Sequence, residues 1–367
     1  MALKCGIIGM TNSGKTTILN CVSNTKAEAT NFAYSTNKSN IGIINVIDPR
    51  LEKINSFVNS KKVTPATVDI IDIPGLAKGS NSGEGIGNQF LADIQQTNAL
   101  IHVLRCFEDE NLPHVEGSID PVRDMEIVDL ELQARDLDLV TRKIERLQKI
   151  AKSGDKEAKH GIEVLQKLTD HLENFGNVRD LELKEDDRKK FVDDMYLLTD
   201  KPIMYVCNVE DVAAKEGNAF VEKVKQALAD QETQIVVVAG KLEAEIAELE
   251  TASERAEFLE DAGLEEPSVN KVVRSAYSLL NLQSFFTAGE KEVRAWTVHK
   301  GDTAPEAAGV IHSDLQRGFI RAEVIAYEDY VAFEGSEAKL REAGKLRLEG
   351  KNYVVQDGDV LNIRFNV

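Results

Sequence analysis

The chain has 367 residues, 42% of them hydrophobic and 29% charged, with a formal net charge of −18. That length predicts more than one domain, each with its own core, and the acidity argues against a protein that coats nucleic acid indiscriminately. No apolar run reaches the length of a membrane-spanning helix, the start lacks a signal-peptide layout, and the four cysteines, Cys5, Cys21, Cys106 and Cys207, form no C-x-x-C. They read as small core residues in a reducing compartment, so a cytoplasmic monomer without membrane association is expected.

Taken in chain order, residues 3–8 read as a buried strand and 17–22 as a helix. Between them Gly9-Met10-Thr11-Asn12-Ser13-Gly14-Lys15-Thr16 spells G-x-x-x-x-G-K-[ST]. Such a strand–loop–helix turn aims backbone N–H groups and a helix N-terminus at phosphate. Lys15 is expected to reach the outer phosphates and act in catalysis, and the Thr16 hydroxyl to bind Mg²⁺. Asn12, Ser13, Gly14 and Thr17 complete the expected nucleotide contacts of this loop.

The polar stretch Asn31-Phe32-Ala33-Tyr34-Ser35-Thr36 follows, in which Thr36 is expected to close on Mg²⁺ when a γ-phosphate is present. A strand over 67–73 then runs into Asp72-Ile73-Pro74-Gly75. This D-x-x-G places Asp72 to hold Mg²⁺ through water and the Gly75 N–H to sense the γ-phosphate. Leu76 stands where a Ras-like switch carries a water-orienting glutamine, so slow intrinsic turnover is expected. Glycines from Gly75 to Gly87 give that loop freedom to rearrange. A further strand over 100–104 precedes Asn111-Leu112-Pro113-His114-Val115, where His114 is a candidate for positioning the attacking water.

Residues 125–198 change pattern. Ile127, Leu130, Ala134, Leu137, Thr141, Ile144 and Gln148 follow a three-four spacing, and Ile162, Leu165, Leu168, Leu172 and Phe175 resume it after Ser153-Gly154-Asp155. Two antiparallel helices with a coiled-coil-like seam are predicted. Arg142, Lys143, Arg146, Lys149 and Lys152 make the outgoing helix basic near its far end. The strand over 203–207 leads into Asn208-Val209-Glu210-Asp211, where a guanine-specific switch has N-K-x-D. Val209 replaces the lysine that covers the base, while Asp211 keeps the carboxylate; guanine readout is weakened and not abolished.

After a strand over 235–239 and acidic helical sequence over 249–264, short strands dominate to the end of the chain, over 293–298, 319–326, 353–355 and 360–365. Gln356-Asp357-Gly358-Asp359 reads as a hairpin turn between the last two. The expected fold is α/β: a P-loop NTPase with a mostly parallel sheet (1–124 and 199–280), an inserted helical arm (125–198) and a small C-terminal α+β domain (281–367).

The chain resembles the YchF or Obg-like ATPase family of P-loop NTPases. The shared text includes the P-loop, Asp72 to Leu76, Lys78-Gly79-Ser80 to Gly85-Ile86-Gly87, Leu282 to Gly289, Glu292 to Thr297, Gly318 to Ala322 and Asp357-Gly358-Asp359-Val360. The resemblance covers essentially the whole chain and identifies 281–367 with the family's β-grasp-like TGS domain. It implies an ATPase, or an enzyme accepting ATP and GTP, that uses Mg²⁺, binds the large ribosomal subunit and tRNA or other RNA, and acts in translation or stress response. Some relatives with asparagine at the position of Asn12 bind K⁺ beside the phosphates, which makes Asn12 a candidate K⁺ ligand. Two positions depart from the family: Asp211 where glutamate is usual, and Ala33-Tyr34 where Pro-Phe is frequent. Two other readings stand beside the ATPase: a GTP-specific switch, favoured by Asp211, and a ribosome- or RNA-associated nucleotide-binding module with negligible turnover, favoured by Leu76.

Overall fold

The computed structural model describes residues 3–23, 40–73 and 92–366. They form two compact units, one of Met1–Gly42 with Asp69–Val272, the other of Ile43–Val68 with Val273–Val367. Residues 43–68, expected with the NTPase from sequence, thus group with the C-terminal residues by packing.

The first unit is built on β1 (Lys4–Ile8), β4 (Ala66–Asp72), β5 (Ala99–Arg105), β6 (Ile203–Asn208) and β7 (Ile235–Val238), each within two residues of its expected bounds. They run parallel in the order β4-β1-β5-β6-β7, with β2 (Asn40–Val46), not foreseen from sequence, on the outer edge of β4. All seven residues of β5 are buried, as its continuous apolar run requires of a strand covered on both faces. The pairing Ile7↔Ile101 and Leu104↔Cys207 brings the carboxyl ends of β1, β5 and β6 side by side. Ligands of open α/β sheets bind at these ends. Helix α1 (Lys15–Ser23) leaves β1 through the P-loop and buries Ile18, Leu19 and Val22.

The arm is a helical hairpin of α3 (Pro121–Ala151) and α4 (Lys156–Glu173). Asp120 accepts from the N–H groups of Val122 and Arg123 with Pro121 in the first turn, and Asp155 accepts from Ala158; both are strong N-terminal signals. Gln133 Nε2 donates to Phe175 O at 3.1 Å, and a Cβ at Gly161 would meet Leu147 at 3.0 Å, so the helices run antiparallel as expected. The seam follows the spacing read in the sequence only in part: Ile127, Leu137 and Ile144 are partly buried against the cores. Met125, Val128, Leu132 and Val140 are buried, while Leu130 is 46% exposed and Ala134 and Thr141 face solvent. The true line passes through Asp136, wholly buried, whose carboxylate accepts from Leu198 N (2.8 Å), Thr199 N (2.7 Å) and Thr199 Oγ1 (2.7 Å). A charged residue at a core position disguised the stripe. In α4, Leu165, Leu168 and Leu172 are buried as expected, but Phe175 lies past the helix, at φ 61° and 74% exposed.

The second unit holds a sheet of order β11-β10-β12-β8-β9-β3. Its strands are β3 (Val63–Thr64), β8 (Leu282–Ala288), β9 (Val293–His299), β10 (Phe319–Ile325), β11 (Arg347–Glu349) and β12 (Val360–Phe365). Phe285, Val298, Ala304, Ala308, Val324 and Leu361 form its core. Here the expected terminal hairpin is corrected. Residues 353–355 make only an isolated bridge, Thr303↔Val354, and β12 pairs antiparallel with β10 and parallel with β8. The turn at 356–359 is tied locally instead, Asp359 Oδ2 accepting from Tyr353 Oη (2.7 Å) and Gln356 N (2.9 Å). Helix α2 (Pro49–Val58) belongs to this unit: Arg50 donates to both carboxylate oxygens of Asp357 at 2.8 and 3.1 Å, and Val63 pairs in parallel with Val293.

Candidate nucleotide site

The P-loop depends on two glycines whose backbone no other residue adopts cheaply. Gly9 has φ 144° and a Cβ there would lie 2.4 Å from Val103 O; Gly14 has φ 96° and a Cβ would lie 2.1 Å from Asn208 Nδ2. Asn12 takes a positive φ of 64°, which asparagine tolerates. Its Nδ2 donates to Pro113 O at 3.4 Å.

Lys15, at the start of α1, is 7% exposed and donates to Met10 O (2.7 Å) and Gly9 O (3.1 Å). Burial pushes its ammonium down to about 8, against the pull of Asp72. Burial in turn raises the Asp72 carboxyl, opposed by Lys15 and by a hydrogen bond from the Thr16 side chain. The structure therefore gathers Lys15, Thr16 and Asp72, as the motifs require. Thr16 and Asp72 offer one hydroxyl and one carboxylate, hard oxygen donors of the kind Mg²⁺ takes together with phosphates and water. Among the described residues no trio of His, Cys, Asp or Glu could hold a metal by itself. Thr36 and Gly75, like Leu76 and the glycine loop, lie outside the described residues.

Lys15 and Thr16, but not Asp72, line a cavity of about 740 Å³, with Asn12, Gly14 and Thr17 on the same side and Asn208, Val209, Glu210 and Asp211 on another. Asn208 is a clamp as well as a wall. Its Nδ2 donates to Ser13 O and its Oδ1 accepts from Gly240 N, both at 3.0 Å, tying together the loops after β1, β6 and β7. Ser13 does not line the cavity; its buried hydroxyl makes no hydrogen bond. The Val209 N–H donates to Val238 O at 2.9 Å. Glu210 accepts from Asn218 Nδ2 at 2.9 Å. Asp211 Oδ2 stands 3.9 Å from Lys241 Nζ, and its Oδ1 is closed to solvent and has no hydrogen-bond partner among the described residues, an orphaned acceptor beside the cavity.

Two walls escaped the sequence. Phe107, Glu108, Asp109 and Leu112 follow β5, and Gly240, Lys241 and Ala244 follow β7. Their signal was topological: both segments leave the carboxyl ends of strands flanking β6. Buried Arg105 fixes the first wall, donating to Phe107 O (3.3 Å) and Asp109 O (3.4 Å) with its guanidinium carbon 4.8 Å from the Phe107 ring centre.

His114 is not among the cavity's walls. Its side chain is 2% exposed, with Nε2 2.8 Å from Asp124 Oδ2, while Nδ1 accepts from Glu116 N at 3.1 Å. Both ring nitrogens thus serve the loop. The P-loop meets this segment through Asn12, which donates to the neighbouring Pro113 carbonyl.

The family model YchF-GTPase_C, described as a protein of unknown function, matches residues 282–366, and MMR_HSR1, described as a 50S ribosome-binding GTPase, matches residues 4–160. The chain is 50% identical to the ribosome-binding ATPase YchF of Haemophilus ducreyi and 47% identical to that of Bacillus subtilis, covering 100% of both chains in each case. The solved YchF GTPase of Schizosaccharomyces pombe superposes with a TM-score of 0.87 at 30% identity, over 99% of this chain and 97% of that one.

Proposed function

The chain belongs to the YchF family, and on that premise we propose that it is a ribosome-binding ATPase. The observation that carries the reading is that Lys15 and Thr16 line a nucleotide-sized cavity and both interact with Asp72 behind them. Phosphoryl transfer asks mainly for positioning and charge neutralisation. Loop amides and the Lys15 ammonium would hold the β- and γ-phosphates. Thr16, with Asp72 through water and Thr36 from the preceding loop, would hold Mg²⁺, which supplies positive charge to the phosphate oxygens. The Gly75 N–H would meet the γ-phosphate. Lys15→Ala should abolish saturable binding of purine triphosphate and turnover together; unaltered binding by that variant would sink the proposal.

ATP is the proposed substrate, supported by Val209 in place of the base-covering lysine and by the activity named for the relatives. Asp211 favours a second reading, since a carboxylate lining the cavity at this position of the motif can accept from the ring N–H of guanine. Competition of ATP against GTP for the purified protein separates the two. With Leu76 unable to orient water, basal turnover should be slow and rise with ribosomes present; no rise would leave a nucleotide-binding module. His114 can act on the water only after its bond to Asp124 opens, and His114→Ala with unchanged stimulated turnover would remove it from catalysis. A K⁺ ion beside Asn12 would make turnover faster in K⁺ than in Na⁺. The segment 281–367 is proposed as the TGS domain, facing tRNA or another RNA, in a cytoplasmic monomer.

A further inference from the structure

The arm divides its charge along its length. Residues 121–140 of α3 carry six Asp and Glu against two Arg, but residues 141–159, the end of α3, the turn and the start of α4, carry seven Lys and Arg against three acids. This reversal occurs in a chain with 62 acidic and 44 basic residues. The packing divides at the same place. Met125, Val128 and Leu132 belong to the core of the first unit, whereas Val140, Leu165, Leu168 and Leu172 form the arm's own core. The turn after α3 lies about 28 Å along the helix from Gln133, at 1.5 Å per residue.

Two of the seven cations hold the arm together: Arg142 pairs with Asp138 at 2.8 Å, and Lys143 bonds Asp194 and Phe191 O. Arg146, Lys149, Lys152, Lys156 and Lys159 are exposed and make no ion pair with any described residue. Ile150, between them, is 50% exposed. The first half of α3 sets only two Arg among its six acids, so the sign reverses along one helix; five unpaired cations around one turn create a local positive field on an acidic body.

We propose that the distal end of this arm, Arg146 to Lys159, is a docking surface for the phosphate backbone of ribosomal RNA. The proposal rests on the ribosome-binding reading above and names the part of the chain that makes the contact. The occupant follows from charge complementarity. A polyanion is the partner that flexible, unpaired lysines fit, because phosphate contacts ask for charge and reach rather than a shaped pocket. The −18 net charge would oppose docking of the remaining surface to the same RNA, so the tip sets where the protein can approach.

The test uses the full-length protein with Lys149→Glu, Lys152→Glu and Lys156→Glu combined, and the corresponding triple arginine variant. Binding to large ribosomal subunits is measured by sedimentation across a salt series, beside ATP affinity and helical circular dichroism. The glutamate variant should bind subunits at least about tenfold more weakly, with a salt slope shallower by about 2, the value for three lost phosphate contacts. The arginine variant should bind like the parent, and ATP affinity and helicity should not change. Equal affinity and slope for the parent and the glutamate variant would overturn the proposal. Ribosomal RNA stripped of protein should compete for the parent; failure to compete would assign the tip to a ribosomal protein and overturn the RNA assignment. A parent that binds no subunits refutes the ribosome reading itself, a result distinct from a variant that binds as well as its parent.

Discussion

Single residues around the cavity do structural and chemical work together. Asn208 was legible as a base-side residue, but its clamp was not, because its partners lie 195 residues back and 32 residues on. Asn208→Ala leaves the Ser13 carbonyl and Gly240 N–H without their partner. A loss of about 2 kcal/mol in urea unfolding is expected, with weaker nucleotide binding because the P-loop and the helix after β7 are no longer tied. Glu243 gives a pH prediction. It is 2% exposed and accepts from Ser268 N at 2.6 Å; burial raises its carboxyl from 4.5 to about 7, against the bonds it accepts. The folded state therefore holds the proton longer than the unfolded chain. Stability is fully kept below pH 4.5 and is lost as pH rises from 4.5 to 7. Glu243→Gln keeps an acceptor for Ser268 and removes the charge, so it should stabilise by about 1–3 kcal/mol at pH 8 and leave stability unchanged at pH 4, read from thermal melts at both values. His102 adds an opposing window. Both its ring nitrogens are buried without a hydrogen bond to any described residue, and burial with Lys15 nearby lowers it to about 3. Its neutral form is kept above pH 6.5, and stability should fall as pH drops from 6.5 toward 3.

Elements were more legible than their faces. The five core strands announced themselves as continuous β-branched runs between helical stretches, and Ser153-Gly154-Asp155 marked the break between the arm helices; the arm's expected start at residue 125 instead falls one turn inside a helix that Asp120 and Pro121 begin. The seam of α3 was misplaced because periodicity counts apolar letters, and the position that docks residues 198–199 is an aspartate. Asp136 meets three donors in a site closed to water. Asp136→Ala strands those donors and should lower stability by about 3 kcal/mol, with Asp136→Asn intermediate since one acceptor oxygen remains; denaturant midpoints compare the two. The terminal hairpin failed for a related reason. Its turn chemistry was read correctly at Gln356-Asp357-Gly358-Asp359, but strand partners are chosen by the whole sheet, and β12 is claimed by β10 and β8.

At the scale of the molecule, the parallel NTPase sheet and a small C-terminal α+β unit follow from the order of patterns along the chain. The membership of residues 43–68 does not, because nothing local marks a segment whose partners come more than two hundred residues later. Leu51 and Ile54 of α2 are buried, and β3 finds its only named partner in β9. A fragment ending at residue 280 keeps the P-loop motifs but leaves that segment without its sheet. It should aggregate or show raised dye binding to apolar surface, while the full chain does not; light scattering on both proteins checks this.

The same threading has a consequence during synthesis. Arg50 and Asp357 are 307 residues apart in the chain, so at roughly 5–20 residues per second the first of them waits about 15–60 s for the other to be made. For that interval a nascent segment with an amphipathic helix has been made before its sheet exists, and the second unit can close only after Asp357 has been made.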